Sequence, residues 1–236
     1  MSPSTTGIGS QVGRLQAVLW DMDGTLVDTE PSWIAAEYRL VESFGGTWSD
    51  EHAHALVGNA LPVSAAYLRE HGGVGLPLDE IVRRLLVEVV ADARVHTSWR
   101  PGVHRLLAEL RQAGVPCAMV TMSYRSLADA IADQLPPGTF SAVVTGDQVS
   151  NGKPDPEAYL RAAELLGVDP GGCVAIEDSP TGVTSAEAAG CVVIAVPNQV
   201  PIPAAPTRTI IPDLAAVSVA DLVELVELVG TVSSGG

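Results

Sequence analysis

The sequence predicts an α/β protein, a doubly wound parallel sheet with an inserted α-helical cap. Three observations predict it. Short, nearly continuous apolar runs alternate with helical patterns, as central strands covered on both faces require. Asp155-Pro156 and Ser179-Pro180 each pair a capping residue with proline, a strong helix start. One long helical interval separates the first strand from the second and exceeds what a single crossover helix needs.

In chain order, Leu15–Trp20 reads as the first strand. Ser32–Phe44, Ser49–Leu56, Pro62–His71 and Leu78–Ala93 then read as the helices of the cap. Val103–Ala113 returns the chain to a strand at Val115–Thr121. Ser126–Gln134, the strand Ala142–Thr145, Pro156–Leu166, the strand Cys173–Ile176, Pro180–Ala189 and the strand Cys191–Val196 continue the alternation. Right-handed crossovers then place the strands parallel. The expected organisation is a Rossmann-like core over 14–30 and 99–229, a cap over 31–98, and flexible tails at 1–13 and 230–236. Leu222–Leu228 reads as an amphipathic packing helix without the basic residues of a membrane binder.

Composition narrows the function. The chain has 236 residues, 47% hydrophobic, enough for a sizeable core, and only 4% aromatic, so aliphatic residues must fill it. A net charge of −15 argues against general binding to nucleic acid or an anionic membrane. No uncharged apolar run is long enough to span a bilayer. Cys117, Cys173 and Cys191 lie in strand-like runs and read as buried free thiols of a cytoplasmic protein. The expected assembly is a monomer or weak dimer. The 13 basic residues are 12 arginines and one lysine, Lys153.

Ligands of an open parallel sheet bind at the carboxyl ends of its strands. After the first strand comes Asp21-Met22-Asp23-Gly24-Thr25, whose two aspartates project to one side. Two such charges repel unless a divalent cation or a proton intervenes. After the second comes Thr121-Met122-Ser123, a hydroxyl pair entering a helix and a ready anion cradle. Lys153 follows the third, and Glu177-Asp178-Ser179 the fourth. Hard oxygen ligands suit Mg²⁺, and Mg²⁺ with a lysine and backbone N–H groups suits a phosphate dianion. A carboxylate beside that phosphate can attack it.

These stretches, Asp21–Glu30, Thr121, Lys153-Pro154-Asp155-Pro156 and Glu177-Asp178-Ser179-Pro180, resemble the four motifs of the haloacid dehalogenase superfamily. The match is to its phosphatase and β-phosphoglucomutase branch and covers about Leu15 to Val229. The resemblance implies Asp21 as nucleophile and Asp23 as general acid and base. It implies Thr121 and the following N–H, together with Gly24, Met122 and Ser123, as phosphate holders. Lys153 would neutralise phosphate charge and pair with Asp21. Mg²⁺ would be bound by Asp21, the Asp23 carbonyl and Asp178, with Glu177 binding directly or through water. The implied activity is Mg²⁺-dependent hydrolysis of a small phosphorylated metabolite, a sugar or polyol phosphate, through an aspartyl-phosphate. Asp28 reads as ordering the hinge.

Val57–Ser64 resembles the cap's specificity loop. Phosphomutase members carry an arginine just after the loop glycine, whereas this chain has Asn59, Ala60 and Leu61. A mutase must hold a bisphosphate in two orientations, so the missing cap charge counts against a sugar phosphomutase, which is the alternative reading. Asn59 is the loop's candidate for a substrate hydroxyl. The dehalogenase branch lacks the second aspartate, which is present here as Asp23. A binding module that keeps the fold without catalysis is a third reading. It fits poorly with a full reactive set. His52 and His54 do not share a helix face and carry no metal site.

Overall fold

The computed structural model describes residues 15–56 and 59–233. Strand β1 (Ala17–Trp20) is followed by α1 (Glu30–Ser43), α2 (Asp50–His54), α3 (Leu61–His71) and α4 (Leu78–Ala93). The chain continues through α5 (Val103–Ala113), β2 (Cys117–Val120), α6 (Arg125–Ala132), β3 (Ala142–Val144) and α7 (Glu157–Leu166). It closes with β4 (Cys173–Glu177), α8 (Pro180–Ala188), β5 (Val192–Ala195), β6 (Arg208–Ile210) and α9 (Val219–Ser233).

All six strands are parallel, in the order β3-β2-β1-β4-β5-β6. The order reverses between β1 and β4, so a crevice opens beyond their carboxyl ends. Strand alternation sorts the core into two halves. Val18, Trp20, Met119, Ile176 and Ile194 face one way, onto Leu106 and Leu110 of α5, Leu127 and Ile131 of α6 and Leu222 of α9. Ala17, Ala118, Ala175 and Ala195 face the other way, onto Ala158, Ala162 and Ala186 of α7 and α8. Leu19, Val120, Val193 and Tyr159 fill the same face between these alanines, so aliphatic residues with one tyrosine pack it.

The two connections to the helical insertion run side by side. Asp28 N–H donates to Ser98 O at 2.8 Å and Arg100 N–H to Leu26 O at 2.9 Å. This ties the entry and exit segments together directly above β1.

The structure departs from the sequence reading in several places. β6 was not foreseen, because a three-residue, half-exposed edge strand carries no apolar run. α1 begins at Glu30, inside the segment assigned to the core, and α2 ends at His54. Pro156 occupies the cap position of α7 itself, although Asp155 Oδ1 still accepts from Glu157 N–H at 3.0 Å. α9 runs on to Ser233, so 230–233 is helical rather than a flexible tail. The expected tail 1–13 lies outside the described residues, as does 234–236. The three cysteines are buried and free. Among the described residues, no helix is long and apolar enough to cross a membrane.

Candidate active site

β1 ends at Trp20, and the Asp21 N–H continues its ladder to Ile176 O at 3.0 Å. The Asp21 carboxyl therefore emerges in the crevice, only 6% exposed. The backbone then turns tightly, with Leu26 and Val27 N–H both donating to Met22 O. That turn brings Asp23 to the same side. Thr29 Oγ1 donates to Asp23 Oδ1 at 2.5 Å and Thr121 Oγ1 to Asp23 Oδ2 at 3.0 Å. Both oxygens are held by hydroxyls, one from the end of β2 and one from the start of α1.

Lys153 is the cation of the site. Its Nζ donates to Asp21 Oδ1 at 2.7 Å, Glu177 Oε1 at 2.6 Å and Val120 O at 2.9 Å. An ammonium has three N–H bonds, and these acceptors use all three. Burial works against this charge, but the Asp21 and Glu177 carboxylates outweigh it and hold the ammonium above its ordinary range. Glu177 Oε1 also accepts from Tyr159 OH at 2.6 Å.

Asp21 Oδ2 is buried and has no hydrogen-bond partner among the described residues. Carboxylate oxygens of Asp21, Glu177 and Asp178 lie within 4.8 Å of one another. Burial raises the Asp21 carboxyl to about 7, against the pull of Lys153. Burial, with the Asp21 and Glu177 charges, raises Asp178 to about 9. The cluster sets three carboxylates against the single ammonium of Lys153, and its donors are hard oxygens, so the residues fit a divalent cation such as Mg²⁺. Two glycines make room for it. A Cβ on Gly24 would lie 2.0 Å from Asp178 Oδ2, and one on Gly182 would lie 2.0 Å from Glu177 Cδ.

Asp21, Asp23, Thr121, Lys153, Glu177 and Asp178 are thus brought together at the ends of β1, β2 and β4 and the loop before α7. Other candidates are placed differently. The Gly24 N–H is engaged by Val27 O at 2.7 Å, and Ser123 N–H by Thr121 Oγ1 at 2.9 Å. These two amides serve the loop, and Met122 N–H is the amide of the cradle with no partner among the described residues. The Asn59 amide donates to Ala55 O at 3.0 Å and so closes the end of α2. Val57 and Gly58 lie outside the described residues. Sequence reasoning missed Thr29, Tyr159 and Gly182. The one signal for Tyr159 was a phenol among the small apolar residues Ala158, Ala162 and Ala163 of α7.

The protein-family model for haloacid dehalogenase-like hydrolases matches residues 15–190. The chain is 36% identical to hexitol phosphatase A of Escherichia coli (strain K12), covering 78% of this chain and 83% of that protein. It is 32% identical to a phosphorylated carbohydrates phosphatase of Thermotoga maritima, covering 75% and 82%. In structure it is similar to CbbY from Rhodobacter sphaeroides in complex with phosphate. The TM-score there is 0.80 at 28% identity, covering 88% of this chain and 99% of that one.

Proposed function

This chain belongs to the haloacid dehalogenase-like hydrolase family, and from that premise we propose that it is a Mg²⁺-dependent phosphatase of small sugar or polyol phosphates acting through an aspartyl-phosphate. It is an enzyme of the phosphoric monoester hydrolase class. The observation that carries the mechanistic reading is the asymmetry of the Asp21 carboxylate. Oδ1 is bound to Lys153, whereas Oδ2 is buried without a partner beside Glu177 and Asp178. That leaves one oxygen oriented and one available to a phosphorus atom or a metal ion.

Asp21, Asp178 and the Asp23 carbonyl would hold Mg²⁺, with Glu177 at the edge of the set because Lys153 and Tyr159 occupy its Oε1. Bound there, the ion would neutralise phosphate charge and let two buried carboxylates stay ionised. Asp21 attacks phosphorus, and the ester oxygen leaves with the proton that Asp23 supplies. Asp23 then takes a proton from the water that hydrolyses the aspartyl-phosphate. The Met122 N–H would hold the transferring group at the entry to α6, while Thr121 Oγ1, bonded to Asp23 Oδ2 and the Ser123 N–H, would have to release Asp23 to donate to it.

The helices α1–α4 form the cap in this reading, closing over the crevice to exclude water. The names of the relatives support an uncharged polyol or sugar as the leaving group, as does a cap loop of Asn59, Ala60 and Leu61 without a basic residue. The test is phosphate release from a panel of sugar and hexitol phosphates with Mg²⁺, beside Asp21→Asn and beside enzyme stripped with EDTA. Release abolished by both treatments is expected. Equal rates in wild type and Asp21→Asn overturn the reading. Isomerised phosphosugar without net phosphate release replaces it with a mutase.

A further inference from the structure

Tyr159 is fully buried on α7 and meets the catalytic cation once directly, through its ring, and once through Glu177. Its hydroxyl donates to Glu177 Oε1 at 2.6 Å, and its ring lies 5.1 Å from Lys153 Nζ. Glu177 Oε1 is one of the three acceptors that fix the direction of the Lys153 ammonium. The other Glu177 oxygen has only a long contact, 3.4 Å, from Ser179 Oγ. The phenol is therefore the main anchor of Glu177 other than Lys153 itself. A phenol buried only for packing needs any one acceptor, and a backbone carbonyl would serve. Here the hydroxyl and the ring act on the two members of one ion pair, Glu177 and Lys153.

We propose that Tyr159 is a positioning residue for the nucleophile. The chain of contacts runs from Tyr159 OH to Glu177 Oε1, from there to Lys153 Nζ, and on to Asp21 Oδ1. Held this way, Lys153 fixes the rotation of the Asp21 carboxylate and keeps Oδ2 turned toward the reacting group. Without the hydroxyl, Glu177 is held by Lys153 and the long Ser179 contact only, and Glu177 and Lys153 can move together. This inference rests on the phosphatase reading for its effect on rate, but the contacts are testable without any substrate.

The single lysine makes that test direct. Protein labelled with ¹⁵N at lysine Nζ gives one side-chain ammonium resonance, that of Lys153. In the wild type this resonance should be protected from solvent exchange. In Tyr159→Phe, which keeps the ring, it should shift and lose protection. With p-nitrophenyl phosphate and Mg²⁺ the same variant should lose kcat by about tenfold to a hundredfold, the range for a hydrogen bond to a charged group. KM should stay within about twofold, since the interaction matters to orientation in the reaction rather than to uniform binding. Tyr159→Phe added to Lys153→Met should cost no further rate, because the effect passes through Lys153.

A kcat for Tyr159→Phe within about twofold of wild type overturns the proposal, the criterion being the absence of any lost transition-state interaction. So does an unmoved Lys153 resonance. If the wild type releases no phosphate from any ester, the phosphatase reading fails and the resonance alone decides the positioning role. If Tyr159→Phe does not fold, 3-fluorotyrosine in place of tyrosine strengthens the phenol donor in the native chain. It must then move the Lys153 resonance, and an unmoved one overturns the proposal.

Discussion

Gly24 has φ = +88°, and a methyl group added to it would stand 2.0 Å from Oδ2 of Asp178. Two separate demands meet at this residue. The left-handed backbone excludes most side chains, and the carboxylate opposite needs the space a Cβ would fill. Gly24→Ala must therefore move either the loop that carries Asp23 or the Asp178 side chain. The expected result is a loss of Mg²⁺ affinity of about tenfold to a hundredfold, the range seen when groups supporting a metal site are disturbed. Mg²⁺ titration of phosphate release, and of the melting temperature, measures it. An unchanged half-saturation concentration would show that Asp178 is not a ligand.

The pH dependence of stability should run opposite to that of an ordinary acidic protein. Glu37 is buried in the helical insertion, with one hydrogen bond, 3.3 Å from Trp48 Nε1. Burial lifts its carboxyl from 4.5 to about 8, and Trp48 opposes the shift only in part. Between those two values the folded state holds a proton that the unfolded chain has lost. Stability thus falls as pH rises from about 4.5 to about 8, because the unfolded chain binds fewer protons over that window. Glu37→Gln keeps an acceptor for Trp48 and removes the titration. The variant should melt a few degrees higher than wild type at pH 8.5, and the two should converge near pH 4.5. Parallel melting curves across that range would mean that Glu37 is ionised in the fold.

Much of this was legible in the residues. The apolar runs located five of the six strands, because a central strand buried on both faces leaves a continuous apolar signature. Strand-end reading then found Asp21, Asp23, Thr121, Lys153, Glu177 and Asp178, since an open sheet brings those positions together whatever lies between them. Short-range order was less visible. Gly24 was expected to hold phosphate, but its amide is engaged by Val27 O of its own loop, which is a matter of local geometry rather than residue type. Tyr159 and Gly182 were invisible for a different reason. Their importance lies in what they touch, and both touch Glu177 from separate helices. β6 escaped because its pairing with β5, not its composition, makes it a strand.

Asp23 is held at both oxygens, and Thr29 supplies one of those bonds from the base of α1. Since Thr29 adjoins the connection between β1 and the helical insertion, the orientation of Asp23 is tied to the position of that insertion. Thr29→Val removes the donor while keeping the shape. Turnover should fall by about tenfold, as for a hydrogen bond to a carboxylate, with little change in stability. Rescue by Thr29→Ser would separate loss of the hydroxyl from loss of packing. Asp23→Asn should go further, lowering kcat by about a hundredfold or more while phosphate binding persists, the usual reach of general acid catalysis. Unchanged turnover in Asp23→Asn would remove it from the proton transfers.

Lys153 explains why one lysine stands among twelve arginines. A compact ammonium satisfies three acceptors arranged around a point: a carboxylate oxygen of Asp21, one of Glu177, and the Val120 carbonyl. A guanidinium is planar, with donors in a fork suited to two parallel acceptors, and it is bulkier. Lys153→Arg preserves the charge but not this geometry. It should lower kcat by about a hundredfold or more, comparable to loss of a preorganised charge contact. Lys153→Met leaves two buried carboxylates without compensation. It should destabilise the metal-free fold by about 3–5 kcal/mol at pH 8, the cost of breaking a buried ion pair. That loss should shrink at pH 5, where Asp21, lifted to about 7 by burial even with Lys153 beside it, takes up a proton. Phosphate release and urea unfolding at the two pH values measure both effects. Near-wild-type turnover in Lys153→Arg would show that charge alone, and not the shape of the ammonium, is what the site requires.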